Sequence, residues 1–353
     1  MDQLLRKLCD LPTAPFHETA VLDYVRRWAK ARRLRVTADD AGNLLVERPS
    51  RSRRPRLVMV AHADHPGFVA VEMTDKRELR ARFHGGVRTS YFVGSRVRFY
   101  TPAGDIRGTV RTVEEEAPGR PTGATIRVSD DVPPGSLGMW DVPGPRVRGH
   151  QFHSRVCDDL AGLAAGLAAL DLAEDGHAAV LVTRGEEEGF IGAIAAAKAG
   201  TLLKPTDRVI SIECSPELPH VKQGDGAVVR VGDRLSIFNS AFTRFLSKRA
   251  EALAAEDPVF KFQRALMPGG ACEGTVFDAF GYSAAAVCVP LGNYHNMNAA
   301  TGKIAPEYID LRDWRGLVRL LADVCLHHGD FSGDHADLRE QLDARYKKWS
   351  TFL

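Results

Sequence analysis

The sequence is sparing in the features that mark several protein classes. It has six cysteines in 353 residues (Cys9, Cys157, Cys214, Cys272, Cys288 and Cys325), and none stands in a Cys-x-x-Cys pair. That spacing argues against a zinc ribbon or a disulfide scaffold and suits a reducing compartment. Charge of one sign is not in excess. The formal net charge is +2, which gives no bulk pull toward nucleic acid or anionic membrane, so neither is expected as a partner. Long hydrophobic runs are missing: the longest, Leu160 to Leu170, is Ala/Gly-rich and too short to span a bilayer. Met1-Asp2-Gln3-Leu4-Leu5-Arg6-Lys7 is charged and lacks an apolar segment of signal-peptide length, so a cytoplasmic location is the expectation.

What is present is an α/β pattern. Residues 2–33 carry Val21, Leu22, Val25 and Trp28 at helical spacing and are expected to be helical. Val36 to Glu47 alternates like a hairpin, with Ala41-Gly42-Asn43 as its turn. The Arg-rich stretch from Arg51 to Arg56 has no interleaved aromatics and reads as a solvated loop rather than a nucleic-acid patch. Leu57 to Ala61 reads as a buried strand that delivers His62. From 71 to 151, short alternating segments separated by Gly and Pro suggest a small all-β module, inserted between two parts of a catalytic domain (1–70 and 152–335). Beyond it, helix is expected over Asp159–Leu172, Ile191–Ala199 and most of Tyr308–His327. Strand is expected over Ala178–Thr183, Arg208–Ile212 and Ser283–Val289. Such alternation implies a sheet flanked by helices, with ligands gathered at the carboxyl ends of its strands. The tail, 336–353, places Leu338, Leu342, Tyr346 and Trp349 on one helical stripe, expected to pack on its own domain or else on another subunit.

Potential metal ligands fall where those elements meet. His62 follows an apolar strand, and Asp64, two residues on, is placed to fix its tautomer. His65 reads as a loop residue or a substrate contact. Asp158 and Asp159 open a helix; they are either N-cap carboxylates or, for Asp158, a bridge between two ions. Glu186-Glu187-Glu188 directly after a strand is costly unless a cation compensates. One glutamate can ligate while its neighbour takes and returns a proton. Glu213 closes a strand as a terminal ligand, and His295 lies in the turn-rich loop Gly292-Asn293-Tyr294-His295-Asn296. The Gly-rich segment Pro268–Thr275 lacks the Lys-Ser/Thr ending of a phosphate cradle and suits substrate positioning. A Cys157 nucleophile is disfavoured, because adjacent carboxylates would raise its pKa.

In this order the segments resemble the dinuclear metallopeptidases of the tetrahedral aminopeptidase and glutamyl aminopeptidase family, within the wider co-catalytic exopeptidase and deacylase group. The likeness runs from the N-terminal helix to about residue 330. It includes Asp40-Ala41-Gly42-Asn43-Leu44, the inserted module and Gly189-Phe190-Ile191-Gly192-Ala193. The resemblance implies a mixed sheet of the zinc-exopeptidase kind. It also implies two divalent ions, Zn2+ foremost with Co2+ or Mn2+ as alternatives. His62, Asp158 and Glu213 would hold one ion, and Asp158, Glu187 and His295 the other, with Glu186 as general base. It further implies aminopeptidase action on short peptides, with carboxypeptidase or N-acyl amino acid deacylase activity, or a non-catalytic metal-binding role, as alternatives, and a homo-oligomer between dimer and dodecamer. The sequence departs from the family pattern at His65 (usually acidic), Leu160 (usually Arg) and Glu213 (usually Asp in aminopeptidases), and Asn293-Tyr294-His295-Asn296 replaces the family's Arg-Tyr-x-His-Ser run.

Overall fold

The computed structural model describes every residue except Arg51 and Arg53. The helical start is two helices, α1 (Asp2–Leu8) and α2 (Thr19–Ala31), rather than one. Pro12 and Pro15 lie between them, and each removes a backbone donor and crowds the preceding turn. The resulting loop carries Thr13, whose hydroxyl donates to Ala63 O at 2.6 Å, beside the end of the His62 strand.

Strands β1 (Arg35–Ala38) and β2 (Leu44–Glu47) form the expected hairpin. After it, β3 (Leu57–His62) is buried along its whole length. Its side chains alternate: Leu57, Met59 and Ala61 enter one core, and Val58 and Val60 the other. The Arg-rich loop departs from expectation at its end. Arg56 is buried, donating to Glu47 Oε2 at 2.7 Å and to Asp207 Oδ2 at 2.6 Å. Two buried carboxylates demand a paired cation there. Of that expected loop, Arg51 and Arg53 lie outside the described residues.

Six strands then close into an antiparallel barrel: β4 (Gly67–Asp75), β5 (Glu78–His84), β6 (Arg96–Thr101), β7 (Gly104–Ala117), β8 (Arg120–Val128) and β9 (Leu137–Trp140). Its core is aromatic. Phe68, Phe83, Phe92 and Trp140 meet edge to face with ring centroids 4.8–5.2 Å apart. Strands β10 (Arg146–Arg148) and β11 (Gln151–Ser154) return to the main sheet.

The remaining elements are α3 (Leu160–Leu172), β12 (Ala178–Thr183), α4 (Ile191–Ala199), β13 (Arg208–Pro216), β14 (Ala227–Gly232), α5 (Ser240–Glu256), β15 (Phe262–Leu266), α6 (Glu273–Ala279) and β16 (Ser283–Gly292). A two-stranded ribbon follows, β17 (Met297–Asn298) with β18 (Lys303–Ile304), and then β19 (Glu307–Asp310), α7 (Leu311–His327) and α8 (Ala336–Trp349). The main sheet is 11-stranded and mixed. Strands β12, β3, β13 and β16 run parallel at its centre, and antiparallel strands flank them. Helix α3 is buried on all sides from Leu160 to Leu170, and the Trp314 indole of α7 donates to its Ala161 O at 2.8 Å. Helices α4 and α6 cover the opposite face. Strand β13 extends past Ile212, so Glu213 sits within the strand rather than closing it.

The tail differs most from expectation. Its stripe is not covered by its own domain: Leu342, Tyr346 and Trp349 are 50%, 65% and 57% exposed, and α8 buries no residue. Only its first turn is tied down, where Asp337 pairs with Arg244 and Lys248. Among the described residues no helix is long and apolar enough to cross a membrane.

Candidate metal centre

Parallel strands deliver their carboxyl ends to one edge of the sheet, and the expected ligands converge there. His62 ends β3, Glu186 and Glu187 occupy the turn after β12, Glu213 lies in β13, and His295 follows β16. Asp158 comes from the loop between β11 and α3. Two groups that could hold a metal ion form, His62/Asp158/Glu213 and Asp158/Glu187/His295, each with its donor atoms within 4.8 Å of one another. Asp158 is common to both. Its Oδ1 lies 3.6 Å from His62 Nε2, and its Oδ2 lies 3.7 Å from His295 Nε2. Glu213 Oε2 lies 3.9 Å from His62 Nε2, and Glu187 Oε1 lies 3.0 Å from His295 Nε2. Ligands on a tetrahedral ion with bonds of about 2.0–2.1 Å stand roughly 3.4 Å apart, so these separations suit shared cations.

The donors also fit a cation by what they lack. Asp158 Oδ1 and Glu213 Oε1 are buried without a hydrogen-bond partner. Native proteins rarely leave such atoms orphaned. Burial raises Glu213 to about 8. Burial also pushes Glu186 well above the usual carboxylate range, and the charges of Glu213 and Glu187 add to it while His62 opposes. Burial opposes protonation of His62 and His295, but surrounding carboxylates outweigh it. Glu186 is foremost at His62, which moves well above its ordinary value, and Glu187 at His295, which rises to about 9. A bound cation inverts this balance.

Backbone geometry holds the set in place. Asp64 lies 3.5 Å from His62 Nδ1 and accepts the backbone N–H groups of Glu186 and Glu187, each at 3.0 Å. The turn of three glutamates ends at Gly189, whose φ of +98° favours glycine. At Gly192, opening α4, a Cβ would sit 2.5 Å from the Arg184 backbone, so only glycine permits that approach. Glu188 faces the barrel, where its Oε1 meets His84 Nδ1 at 2.9 Å and accepts Gly85 N–H at 3.1 Å. The barrel also touches His295 directly, because Gly86 O accepts from its Nδ1 at 2.6 Å.

Glu307 escaped sequence reasoning, and His65, Asp159 and Glu273 hold places that it did not foresee. Glu307, at the start of β19, accepts the N–H groups of Cys157 (2.6 Å) and Asp158 (3.0 Å) on one oxygen and that of His295 (2.9 Å) on the other. It therefore positions backbone from both ligand groups. His65 lies in the loop between β3 and β4, as expected, but it is not open to substrate. It is buried, with Nδ1 against Asp158 O at 2.8 Å and Nε2 against Asn296 Oδ1 at 3.0 Å. Two departures from the family pattern thus meet each other. Asp159 occupies the N-cap position of α3, but its carboxyl makes no cap bond, and a Cβ at Gly162 would strike it. Glu273, opening α6, is buried, and burial raises it to about 7. Only a signal of tertiary proximity could have found these. Burial first, then Cys9, Glu307 and Asp158, push the Cys157 thiol far up, the reverse of what a thiolate nucleophile needs.

A sequence profile described as M42 glutamyl aminopeptidase matches residues 42–119 and 128–305, well over half the chain. The chain belongs to the M42 glutamyl aminopeptidase family. It is thereby a peptidase, a hydrolase by class. The fold agrees. The TET1 peptidase of Pyrococcus horikoshii, which can assemble into a tetrahedron or a large octahedral shell, superposes with a TM-score of 0.76 at 22% identity, over 92% of this chain and 98% of that one. A TET aminopeptidase from a marine-sediment thaumarchaeon gives 0.78 at 19% identity, over 92% and 96%. The cytosol non-specific dipeptidase of Escherichia coli is 32% identical over 65 residues. That stretch is 17% of this chain and spans only 13% of the dipeptidase.

Proposed function

We propose that this family member is a metal-dependent aminopeptidase that cleaves the amide bond of short peptides. One observation carries the reading: Asp158 offers each carboxylate oxygen to a different histidine, with Glu186 Oε2 3.8 Å from His62 Nε2. In this reading His62, Asp158 and Glu213 hold one divalent ion and Asp158, Glu187 and His295 a second. Zn2+ is the first choice for such an N/O donor set, and Co2+ or Mn2+ fits the same donors. Such ions supply Lewis acidity and bring a water's pKa toward ~7. Glu186 takes the proton of the attacking water and returns it to the leaving amine nitrogen. Its raised pKa suits a group that must both hold and release a proton. Asp64 fixes the His62 ring, and Glu307 fixes the backbone of Asp158 and His295. We further propose a cytoplasmic homo-oligomer, as the assembly of the Pyrococcus neighbour and the uncovered face of α8 suggest.

The test is hydrolysis of aminoacyl amides, dipeptides and N-acyl amino acids by the purified protein, before and after chelation and with divalent ions restored. Turnover that chelation abolishes and metal restores is the expected outcome, strongest on substrates with a free amine. Chelator-resistant turnover, or none on any substrate, would overturn the reading.

A further inference from the structure

Three arginines share one outer face of the barrel. Along β6, Val97 and Phe99 enter the barrel core, so Arg96 and Arg98 point the other way. In the ladder to β7, Arg98 stands directly opposite Arg107. Like charges so placed repel. Asp141, just after β9, relieves part of this. Its carboxylate accepts Arg98 Nε at 2.9 Å and Nη2 at 2.6 Å, and Arg107 Nε lies 3.5 Å from it. Arg98 Nη1 donates to Asp105 at 3.2 Å. Arg96 makes no ion pair among the described residues. A fourth arginine lines the same open cleft, of about 570 Å³, between the barrel and the main domain. Arg155, just after β11, is buried. Its Nη2 donates to Asp10 O at 2.6 Å and pairs with the Asp10 carboxylate, while its Nε has no partner. The Ser154 hydroxyl, donating to Cys9 O at 2.6 Å, pins this corner.

Val142-Pro143-Gly144-Pro145 completes the lining, and its two prolines fix φ. A Cβ at Gly144 would lie 2.7 Å from Asp10 Oδ1 and 3.2 Å from Arg155 Nη1, so glycine lets this segment lie against that pair. The cleft therefore gathers four arginines against two carboxylates, Asp10 and Asp141, on walls held in place. None of its lining residues lines the cavity at the metal centre. Positions two apart on a strand stand roughly 6–7 Å apart, so the cations span more than one carboxylate can cover. Arginine forks take phosphoryl oxygens in pairs. We propose that this cleft binds a small polyphosphate, an anion of linked phosphoryl groups, either free or as part of a nucleotide. The open Arg96 and Arg107 take it first, and the more buried Arg98 and Arg155 complete its contacts.

The test titrates the purified protein with inorganic pyrophosphate, inorganic phosphate and ATP by calorimetry. Wild type is compared with Arg96→Gln/Arg107→Gln and with Arg26→Gln/Lys30→Gln, which thins a separate basic cleft beside α2. Each titration is repeated after chelation, because pyrophosphate also ligates metal ions. Pyrophosphate should bind with a Kd below about 1 mM and at least about 10-fold more tightly than phosphate. The Arg96/Arg107 variant should lose on the order of 10-fold or more in affinity, and the α2 variant less than about 2-fold. ATP binding tighter than pyrophosphate identifies a nucleotide, and equal binding identifies the polyphosphate alone; either supports the proposal. Both substituted arginines are exposed, so without anion the variant should melt no lower than wild type. Arg96→Gln alone, which has no ion pair to lose, reads the same loss should the double variant not fold. A lower melting temperature with binding unmoved marks a structural cluster and overturns the proposal. So does a wild type that binds no pyrophosphate, or binds it no better than phosphate. Equal losses in both double variants would overturn it as non-specific attraction. Binding that chelation abolishes and the arginine substitutions leave unmoved would overturn it by placing the anion on the metal centre.

Discussion

Asp158 turns one carboxylate oxygen to within 3.6 Å of His62 Nε2 and leaves its other oxygen 3.7 Å from His295 Nε2. A carboxylate so divided is what a bridge between two cations requires. Asp158→Asn removes one anionic donor and half the bridge. The expected outcome is about one ion or fewer per chain by elemental analysis, and a loss of turnover of at least ~10³-fold. Two ions retained at full affinity would contradict the bridging role.

Glu186 should be separable from metal binding. Glu186→Gln keeps the shape and removes the proton acceptor, so kcat should fall roughly 10²–10⁴-fold with metal content unchanged. Paired measurement of stoichiometry and kcat distinguishes this from a ligand role, which would cost both.

The pH dependence of the metal-free protein follows from two groups. Carboxylates, Glu187 foremost, raise His295 from 6.5 to about 9 against the effect of burial. Its stabilising contribution is complete below pH 6.5 and is lost as pH rises through 9. Burial raises Glu213 from 4.5 to about 8, so its cost to the fold grows from pH 4.5 upward and is complete above 8. Both push the same way. With excess chelator, the melting temperature should fall between pH 6.5 and 9. Zn2+ displaces the same protons, so its apparent affinity and its stabilisation should increase over that range. Thermal scans and metal titrations across the window check this, and a flat profile would count against it.

Glu307→Gln tests positioning at a distance. One lone carboxylate receives three N–H groups, those of Cys157, Asp158 and His295. The amide's nitrogen must face one of these donors, so one contact becomes repulsive. Metal affinity should drop about 10–100-fold, the usual range for groups that orient ligands. Titration with a competing chelator measures it.

How much of this was legible depends on whether a residue's role is local. His62, Asp158, Glu187, Glu213 and His295 each sit beside an apolar strand or helix start, so strand ends and loop chemistry pointed to one edge of the sheet. The run Leu160–Leu170 announced a helix buried on all sides, as α3 is. By contrast, Glu307 looks like an ordinary strand residue in sequence, and its meaning comes from partners that are mostly far along the chain. Arg56 looked solvated because its counter-charges, Glu47 and Asp207, lie 9 and 151 residues away. Pro12 and Pro15 were a local signal for the break between α1 and α2, masked by the strong apolar spacing of Val21 to Trp28. The stripe of α8 was read correctly as apolar, but periodicity does not say what covers a face, and here its own domain does not.

The most direct test of the central claim is anomalous diffraction at the zinc edge from crystals of the wild-type protein loaded with Zn2+. The account expects two peaks about 3.5–4 Å apart, one beside His62 and Glu213, one beside Glu187 and His295, and Asp158 touching both. A single peak, or two peaks of which Asp158 touches only one, would contradict it.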